Sequence, residues 1–325
     1  MTGSAASPDP TDATEGVAAA RVGFFGPVGT FTEQALYTQP DLVAGEVVAL
    51  ASIPDVLAAV ESGEVEVGFA PIENAIEGSV NVTIDTLAFE SDLLIRREVV
   101  IPVSLCLMVV PGVRLDDITT VISFPHAIAQ CRGFVRKNLP DGVESLPANS
   151  TADAARELAE RGNRNTAAIG PARAAEVYGL EVLAADIEDH PHNSTRFVAV
   201  GREGIPRATG HDKTSIVVFQ RADAPGSLLA ILQEFAARAI NLVKLESRPT
   251  KRGLGDYCFL IDLEGHLSDE LVADCLRDLR SKHDVKFLGS YPAAGEHGPA
   301  VRREADIAWR QADGWLSDLR SQVEQ

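Results

Sequence analysis

A chain of 325 residues with 45% hydrophobic content has enough apolar side chains for two or three full cores, and no run among them is long enough to span a bilayer. Its formal charge of −18 argues against a nucleic-acid backbone or an anionic membrane as partner, because no basic stripe is available to neutralise either. Cys106, Cys131, Cys258 and Cys275 lie far apart in apolar patterns without CxxC spacing, which reads as buried, reduced thiols of a cytoplasmic protein.

In chain order, residues 1–20 are rich in Ala, Ser, Thr, Asp and Pro, without a positive start or apolar core, and read as a disordered extension rather than a signal peptide. A short apolar strand at 21–25 runs into Gly26-Pro27-Val28-Gly29-Thr30 and a helix over 31–38. Strand, glycine turn and helix N-terminus together make an anion-binding arrangement, with Thr30 at its edge. The glycines are spaced GxxGxxG with a proline inside the turn, which argues against a dinucleotide site. A strand at 47–51, a helix at 53–62 and a strand at 67–70 follow, the alternation of an α/β sheet. That third strand runs into a polar loop from Pro71 to Ser79, ahead of a helix with Val80, Ile84 and Leu87 on one face. Ligands gather at the carboxyl ends of strands in such sheets, so Asn74 and Ser79 fall where a site is expected. Glu73 and Glu77 would repel an acidic ligand, and capping or hinge roles suit them better than acid/base work.

A long apolar strand over 99–110 opens a second series: strand 121–124, helix 126–138, strand 142–146, helix 151–160, strand 166–170, helix 172–178 and strand 181–185. The chain then returns through a strand at 195–200. Crossings near 99–103 and near 195 leave a cleft between two lobes, the architecture of type II solute-binding folds. Ser123-Phe124-Pro125-His126 opens one helix and Asn149-Ser150-Thr151 caps another, so several neutral donors converge on that cleft. Asn193-Ser194-Thr195-Arg196 delivers a dense polar cluster onto the returning strand. Thr195 can donate and accept, while Arg196 offers a planar fork suited to the carboxylate of a small acid. A Ser/Thr turn beside a surface ion pair is the plainer alternative. His126, His190 and His192 form no HExxH or Cys/His cluster, so no metal is expected.

Beyond a linker at 202–212, residues 213–291 read as strand 215–220, helix 227–239, strand 241–247, strand 257–263, helix 268–282 and strand 285–290, a separate βαββαβ unit of ferredoxin-like type. In the tail, Ile307, Trp309, Ala312, Trp315, Leu316 and Leu319 fall on one face of a possible helix that packs on the body or between subunits.

Gly26-Pro27-Val28-Gly29-Thr30-Phe31-Thr32-Glu33, Pro71-Ile72-Glu73-Asn74, Ser123-Phe124-Pro125-His126 with Gln130-Cys131, and Thr195-Arg196-Phe197 together resemble the prephenate dehydratase family. The resemblance spans about residues 21–291. The βαββαβ unit resembles that family's regulatory ACT domain: Glu246-Ser247-Arg248-Pro249 is intact, and Gly226-Ser227-Leu228-Leu229 stands where the family more often has Gly-Ala-Leu. The resemblance implies a catalytic domain at 21–201, with lobe one at 21–100 and 195–201 and lobe two at 101–194, an ACT domain at 213–291 and a tail at 292–325. It implies conversion of prephenate to phenylpyruvate with loss of carbon dioxide and water, in phenylalanine biosynthesis, driven by ring aromatisation and needing neither cofactor nor metal. Thr195 would then assist the departing hydroxyl, while Asn74, Ser123 and Gln130 bind substrate oxygens. Arg196 holds a carboxylate or anchors the loop, and Thr30 and Ser150 are added by geometry. L-phenylalanine would bind at Gly226, Ser227, Leu228, Glu246, Ser247, Arg248 and Pro249 of paired ACT units, in a homodimer or homotetramer. Two other readings stay open: a non-catalytic amino-acid sensor on the same cleft fold, and an arogenate dehydratase.

Overall fold

The computed structural model describes residues 20–220, 225–251, 253, 256–294, 311, 314, 315 and 318–322. The first stretch forms β1 (Val22–Phe25), α1 (Phe31–Tyr37), β2 (Val47–Leu50), α2 (Ile53–Ser62), β3 (Val67–Asn74), β4 (Gly78–Ser79), α3 (Asn81–Asp85), continued by a π-type turn over Thr86–Glu90, and β5 (Leu94–Pro102). The second forms β6 (Cys106–Val109), β7 (Thr120–Ser123), α4 (Pro125–Gln130), α5 (Arg132–Asn138), β8 (Glu144–Pro147), α6 (Thr151–Arg161), β9 (Thr166–Gly170), α7 (Ala172–Tyr178) and β10 (Glu181–Ala184). β11 (Ser194–Gly201) then returns to the first sheet, which runs β2-β1-β3-β11-β5 with β4 beside β3, while the second sheet runs β10-β6-β9-β7-β8. Two sheets joined by two crossings, at 103–105 and 187–193, give the two-lobed architecture expected.

Local chemistry sets most of these boundaries. Ser52 caps α2 by accepting from the Asp55 N–H, and Gly63 ends it at φ +80°, a left-handed conformation that costs a glycine little. Three expectations change for tertiary reasons. β3 does not stop at Ala70 but runs on to Asn74, because β11 pairs with it antiparallel and supplies backbone partners for what reads as a loop. Pro71 is tolerated there because it sits at a register shift between Arg196 and Phe197. The long strand over 99–110 divides at the crossing, where the Val103 N–H donates to the Asn193 carbonyl and the Leu105 N–H to the Glu188 carboxylate. The helix over 126–138 divides at Cys131, since the Asp189 N–H takes the Gln130 carbonyl and the Asp189 carboxylate takes the Gly133 N–H. That removes acceptor and donor from the helical ladder at one point.

The C-terminal unit forms β12 (Asp212–Phe219), α8 (Ser227–Ala236), β13 (Leu242–Pro249), β14 (Tyr257–Glu264), α9 (Glu270–Lys282) and β15 (Asp284–Pro292), with strand order β13-β14-β12-β15. Ile216, Val218, Phe259 and Ile261 pack under Ile231, Phe235 and Leu279 of the two helices. The alternate strand positions face the other way, as the two-residue strand period requires. There Val217, Leu260, Leu288 and Tyr291 join Leu57, Ile84, Leu87, Ile95 and Val198 of lobe one in a single buried cluster. The unit therefore shares a core with lobe one instead of standing apart from it. Of the tail, Trp315 and Leu319 are helical and exposed, and Ile307, Trp309, Ala312 and Leu316 lie outside the described residues. All four cysteines are buried and unpaired with one another, and burial pushes the Cys131 thiol up to about 12, so it stays protonated. No helix among the described residues is long and apolar enough to cross a membrane.

Lobe one and the C-terminal sheet approach closely at Gly289, at φ +148°, where an added Cβ would collide with the Ile95 carbonyl oxygen of β5. Gly289→Ala is expected to lower the unfolding free energy by about 1–3 kcal/mol in a denaturant titration, through overpacking and backbone strain.

Candidate active site

Between the two lobes lies a cleft of about 370 Å³. Its walls are largely apolar, with Phe25, Phe31, Val103, Leu105, Phe124 and Phe197 among the lining side chains. Among the described residues no Lys or Arg lines it; Glu77 and His126 are the ionisable side chains of the lining.

At its floor stand Thr195 and Asn74, paired across β11 and β3. The Asn74 side chain is held at both ends. Its Oδ1 accepts the Ile76 and Glu77 N–H groups at 2.9 and 3.0 Å, which forces its Nδ2 to face β11. That nitrogen donates to Thr195 Oγ1 at 2.9 Å and to the Ser194 carbonyl at 3.3 Å. With its oxygen already accepting from Asn74, the Thr195 hydroxyl has its own proton to offer to the cleft.

Two helix N-termini open on the same space. Thr30 caps α1, its Oγ1 accepting from the Glu33 N–H at 3.3 Å, and Ser150 caps α6, accepting from the Asp153 N–H at 2.9 Å. Both cap residues line the cleft. Beyond each cap, the first helical N–H groups have no acceptor within the helix and carry the positive end of its dipole. The buried Glu33 stiffens the first of these termini, since its Oε2 accepts the Gly29 N–H at 2.6 Å and lies 3.4 Å from Arg173 Nε on α7. Tyr178 donates to the Val28 carbonyl at 2.8 Å, so α7 of lobe two clasps the glycine turn of lobe one. A second clasp crosses the cleft mouth, where Glu77 lies 3.0 Å from His126 Nδ1 and accepts from Gln130 Nε2 at 3.3 Å. Gln130 also accepts from Asn193 at 3.4 Å. Glu77 thus bridges the two lobes, whereas Glu73 turns away from the cleft toward Lys244.

Thr195, Asn74, Gln130, Thr30 and Ser150 therefore meet at one site, and the other expected ligands do not. Ser123 is fully buried and donates its hydroxyl to the Ile169 carbonyl at 2.6 Å, tying β7 to β9 instead of facing the cleft. Ser79 donates to Glu246 and accepts from Lys244. Arg196 is one residue from Thr195 and so points to the opposite face of the sheet. Its guanidinium donates to Asp262 Oδ2 at 2.6 Å and to Tyr291 Oη at 2.8 Å. Its Nε lies 2.7 Å from Glu98 Oε2, close enough for charge pairing but out of line for a hydrogen bond. Burial opposes its charge, yet Tyr291, Asp262 and Glu98 more than compensate, and its pKa stands above the usual guanidinium value. Of its two expected roles, the anchor is realised.

The C-terminal set divides by the same alternation. Gly226, Ser227 and Leu228 open α8, and Ser247 and Pro249 are exposed on β13. Glu246 and Arg248 turn to lobe one, where Arg248 donates to Asp85, Asn81 and Glu246. Burial raises the Glu246 carboxyl, but hydrogen bonds from Ser79 and Arg248 outweigh it and hold the group below its ordinary range. Sequence reasoning missed the apolar walls and the pairing of His126 with Glu77. The walls come from five separated segments, and only the glutamate-histidine pairing chemistry hinted at the clasp.

Residues 22–205 match the family model for prephenate dehydratase, and residues 214–281 match that for the ACT domain. A prephenate dehydratase of Mycolicibacterium gilvum is 43% identical over 311 residues, covering 92% of this chain and 98% of that one. The solved structure of a prephenate dehydratase from Arthrobacter aurescens in complex with L-Phe superposes with a TM-score of 0.85 at 40% identity, covering 93% of this chain and 99% of that chain. Another solved structure, of GqqA, described as a novel type of quorum quenching acylase, gives a TM-score of 0.75 at 27% identity, covering 84% of this chain and 98% of that chain.

The reassignment of Ser123 is open to test. Ser123→Ala is expected to lower the unfolding free energy by about 1–3 kcal/mol, the cost of a stranded buried carbonyl, while turnover at saturating substrate stays at the wild-type rate.

Proposed function

The chain belongs to the prephenate dehydratase family, and we propose that its cleft converts prephenate to phenylpyruvate, carbon dioxide and water with Thr195 as the group that meets the departing hydroxyl. The observation that carries this reading is the Asn74 to Thr195 hydrogen bond of 2.9 Å, which orients the threonine proton toward the cleft. As the ring carboxylate leaves as carbon dioxide, its bonding electrons move into the ring and expel the hydroxyl at the opposite carbon; a proton makes that hydroxyl water. Aromatisation supplies the driving force. The protein has to orient the substrate and stabilise charge as it reaches the departing oxygen. An apolar wall suits such a reaction, because it disfavours a compact carboxylate relative to a transition state in which that charge is spreading through the ring. The second carboxylate needs fixed donors, and the N-termini capped by Thr30 and Ser150 supply them without a lysine or arginine. Gln130 lies opposite, where its amide can bond substrate oxygens once the clasp with Glu77 gives way.

Thr195→Ala is expected to lose a few hundredfold in kcat, about 3–4 kcal/mol, with little change in melting temperature. Thr195→Ser keeps a measurable fraction, and Asn74→Ala falls between. The assay follows phenylpyruvate from prephenate and phenylalanine from arogenate, with a chelator present. Near-normal turnover by Thr195→Ala would sink the assignment, and preference for arogenate would correct the substrate.

The complex of the Arthrobacter relative with L-Phe supports L-phenylalanine as effector here. The site proposed for it is the start of α8 at Gly226, Ser227 and Leu228 together with Ser247, and it is completed by a second copy of the chain. β13 is an edge strand that exposes Val243 and Leu245, and Leu229 of α8 is 60% exposed. Unpaired edges with apolar side chains pair readily with another copy. Leu245→Asp in the full-length chain is expected to yield monomers in sedimentation and to abolish L-phenylalanine binding in calorimetry. A coupling of about 1–3 kcal/mol between effector and substrate would change apparent affinity roughly 5- to 150-fold. A wild-type protein that is monomeric and binds L-phenylalanine would overturn the shared site.

A further inference from the structure

Directly behind the cleft floor, the two strands that carry Thr195 and Asn74 are fastened to the ACT sheet, each by the adjoining residue. The register pairs Thr195 with Asn74 and Arg196 with Glu73, so the first pair faces the cleft and the second faces the C-terminal unit. Arg196 is 9% exposed and inserts between Asp262 of β14 and Tyr291 of β15. Ser215 of β12 completes this end by donating to Asp262 at 2.6 Å and sharing a 2.6 Å hydrogen bond with Tyr291. Glu73 lies 3.1 Å from Lys244 of β13, whose ammonium also reaches Ser79 Oγ at 2.8 Å. Ser79 in turn donates to Glu246, and Glu246 accepts from Arg248. All four strands of the ACT sheet thus connect, through hydrogen bonds or ion pairs, to the two residues adjoining the reacting hydroxyl and its orienting amide.

We propose that Arg196 and Glu73 are positioning residues for the dehydration, through which the ACT sheet sets the orientation of the Thr195 hydroxyl and the Asn74 amide. The inference rests on the role given to Thr195 above. The link is stiff for a physical reason. A buried guanidinium cannot part from Asp262 and Glu98 without leaving uncompensated charge in the interior, so when the ACT sheet shifts, Arg196 moves with it. Arg196 and Thr195 share a peptide unit, as do Glu73 and Asn74, so the displacement reaches the cleft without passing through deformable packing. Misplacement of a catalytic group by about 1 Å is enough to cost roughly a hundredfold in rate.

Removing Arg196 outright would strand Asp262 and Glu98 and would report on folding, so milder variants are the test. Tyr291→Phe deletes one hydroxyl and keeps the ring; Lys244→Met keeps the stem and deletes the charge. Each is expected to lower kcat by about 5-fold or more while KM changes by less than about twofold. The further loss should shrink toward none when either variant is combined with Thr195→Ser, because both changes act on one hydroxyl. A readout independent of turnover is the threonine γ-methyl spectrum, in which the Thr195 signal is identified by its disappearance in Thr195→Ser. That signal is expected to shift in Tyr291→Phe, in Lys244→Met and on addition of L-phenylalanine to the wild type. An unmoved Thr195 methyl in both variants would overturn the proposal, as would a kcat loss that is fully additive with Thr195→Ser. Should the wild type fail to consume prephenate, the functional reading falls and the positioning role with it, while the methyl shifts still decide whether the ACT sheet moves Thr195.

Discussion

The antiparallel pairing of β3 with β11 is the constraint on which the rest of the molecule depends. Its register sets Asn74 opposite Thr195 and Glu73 opposite Arg196, and the shift at Pro71 keeps both pairs in place while Phe197 and Phe69 stack at 5.7 Å beyond it. A slip of one residue would turn every side chain of β11 over, placing Arg196 in the cleft and Thr195 against the C-terminal sheet. The buried charges give that slip a prohibitive cost. Arg196, Glu98, Asp262 and Lys213 are all extensively buried, and such groups contribute little net stability once desolvation is counted. What they supply is registry, because only this pairing brings Arg196 to Asp262 and Glu98.

A second consequence concerns charge. The protein carries −18 overall, and its substrate is a dianion, yet the cleft draws on no lysine or arginine among the described residues. The positive potential the cleft does carry is local and dipolar, at the helix N-termini capped by Thr30 and Ser150, and largely apolar walls surround it. The arginines near the cleft do structural work instead: Arg196 holds the floor to the C-terminal unit, and Arg173 binds lobe two to the buried Glu33 and lies over the Tyr37 ring.

Much of this was legible in the residues. Period-two and period-3.6 patterning, with Ser, Thr and Gly at element ends, placed the strands and helices to within a few residues, since those signals are local. Thr30, Asn74, Ser150 and Thr195 were found at strand ends and caps because the ligand-bearing ends of an α/β sheet follow from chain order. The elements, the two lobes, the βαββαβ unit, the family and the hydroxyl at the cleft floor can thus be read along the chain. Which way each polar side chain faces depends on how the sheets pack. Ser123 beside a helix start and Arg196 beside Thr195 read as ligands in one dimension, but Ser123 ties two strands and Arg196 faces away, because strand alternation and the partner across the sheet are set by segments as far away as Ile169, Asp262 and Tyr291. Glu246 and Arg248 likewise part from Ser247 and Pro249, since an edge strand offers its two faces to different neighbours. Residue type and spacing fix what a side chain can do; which surface it does it on is a property of the packed sheets.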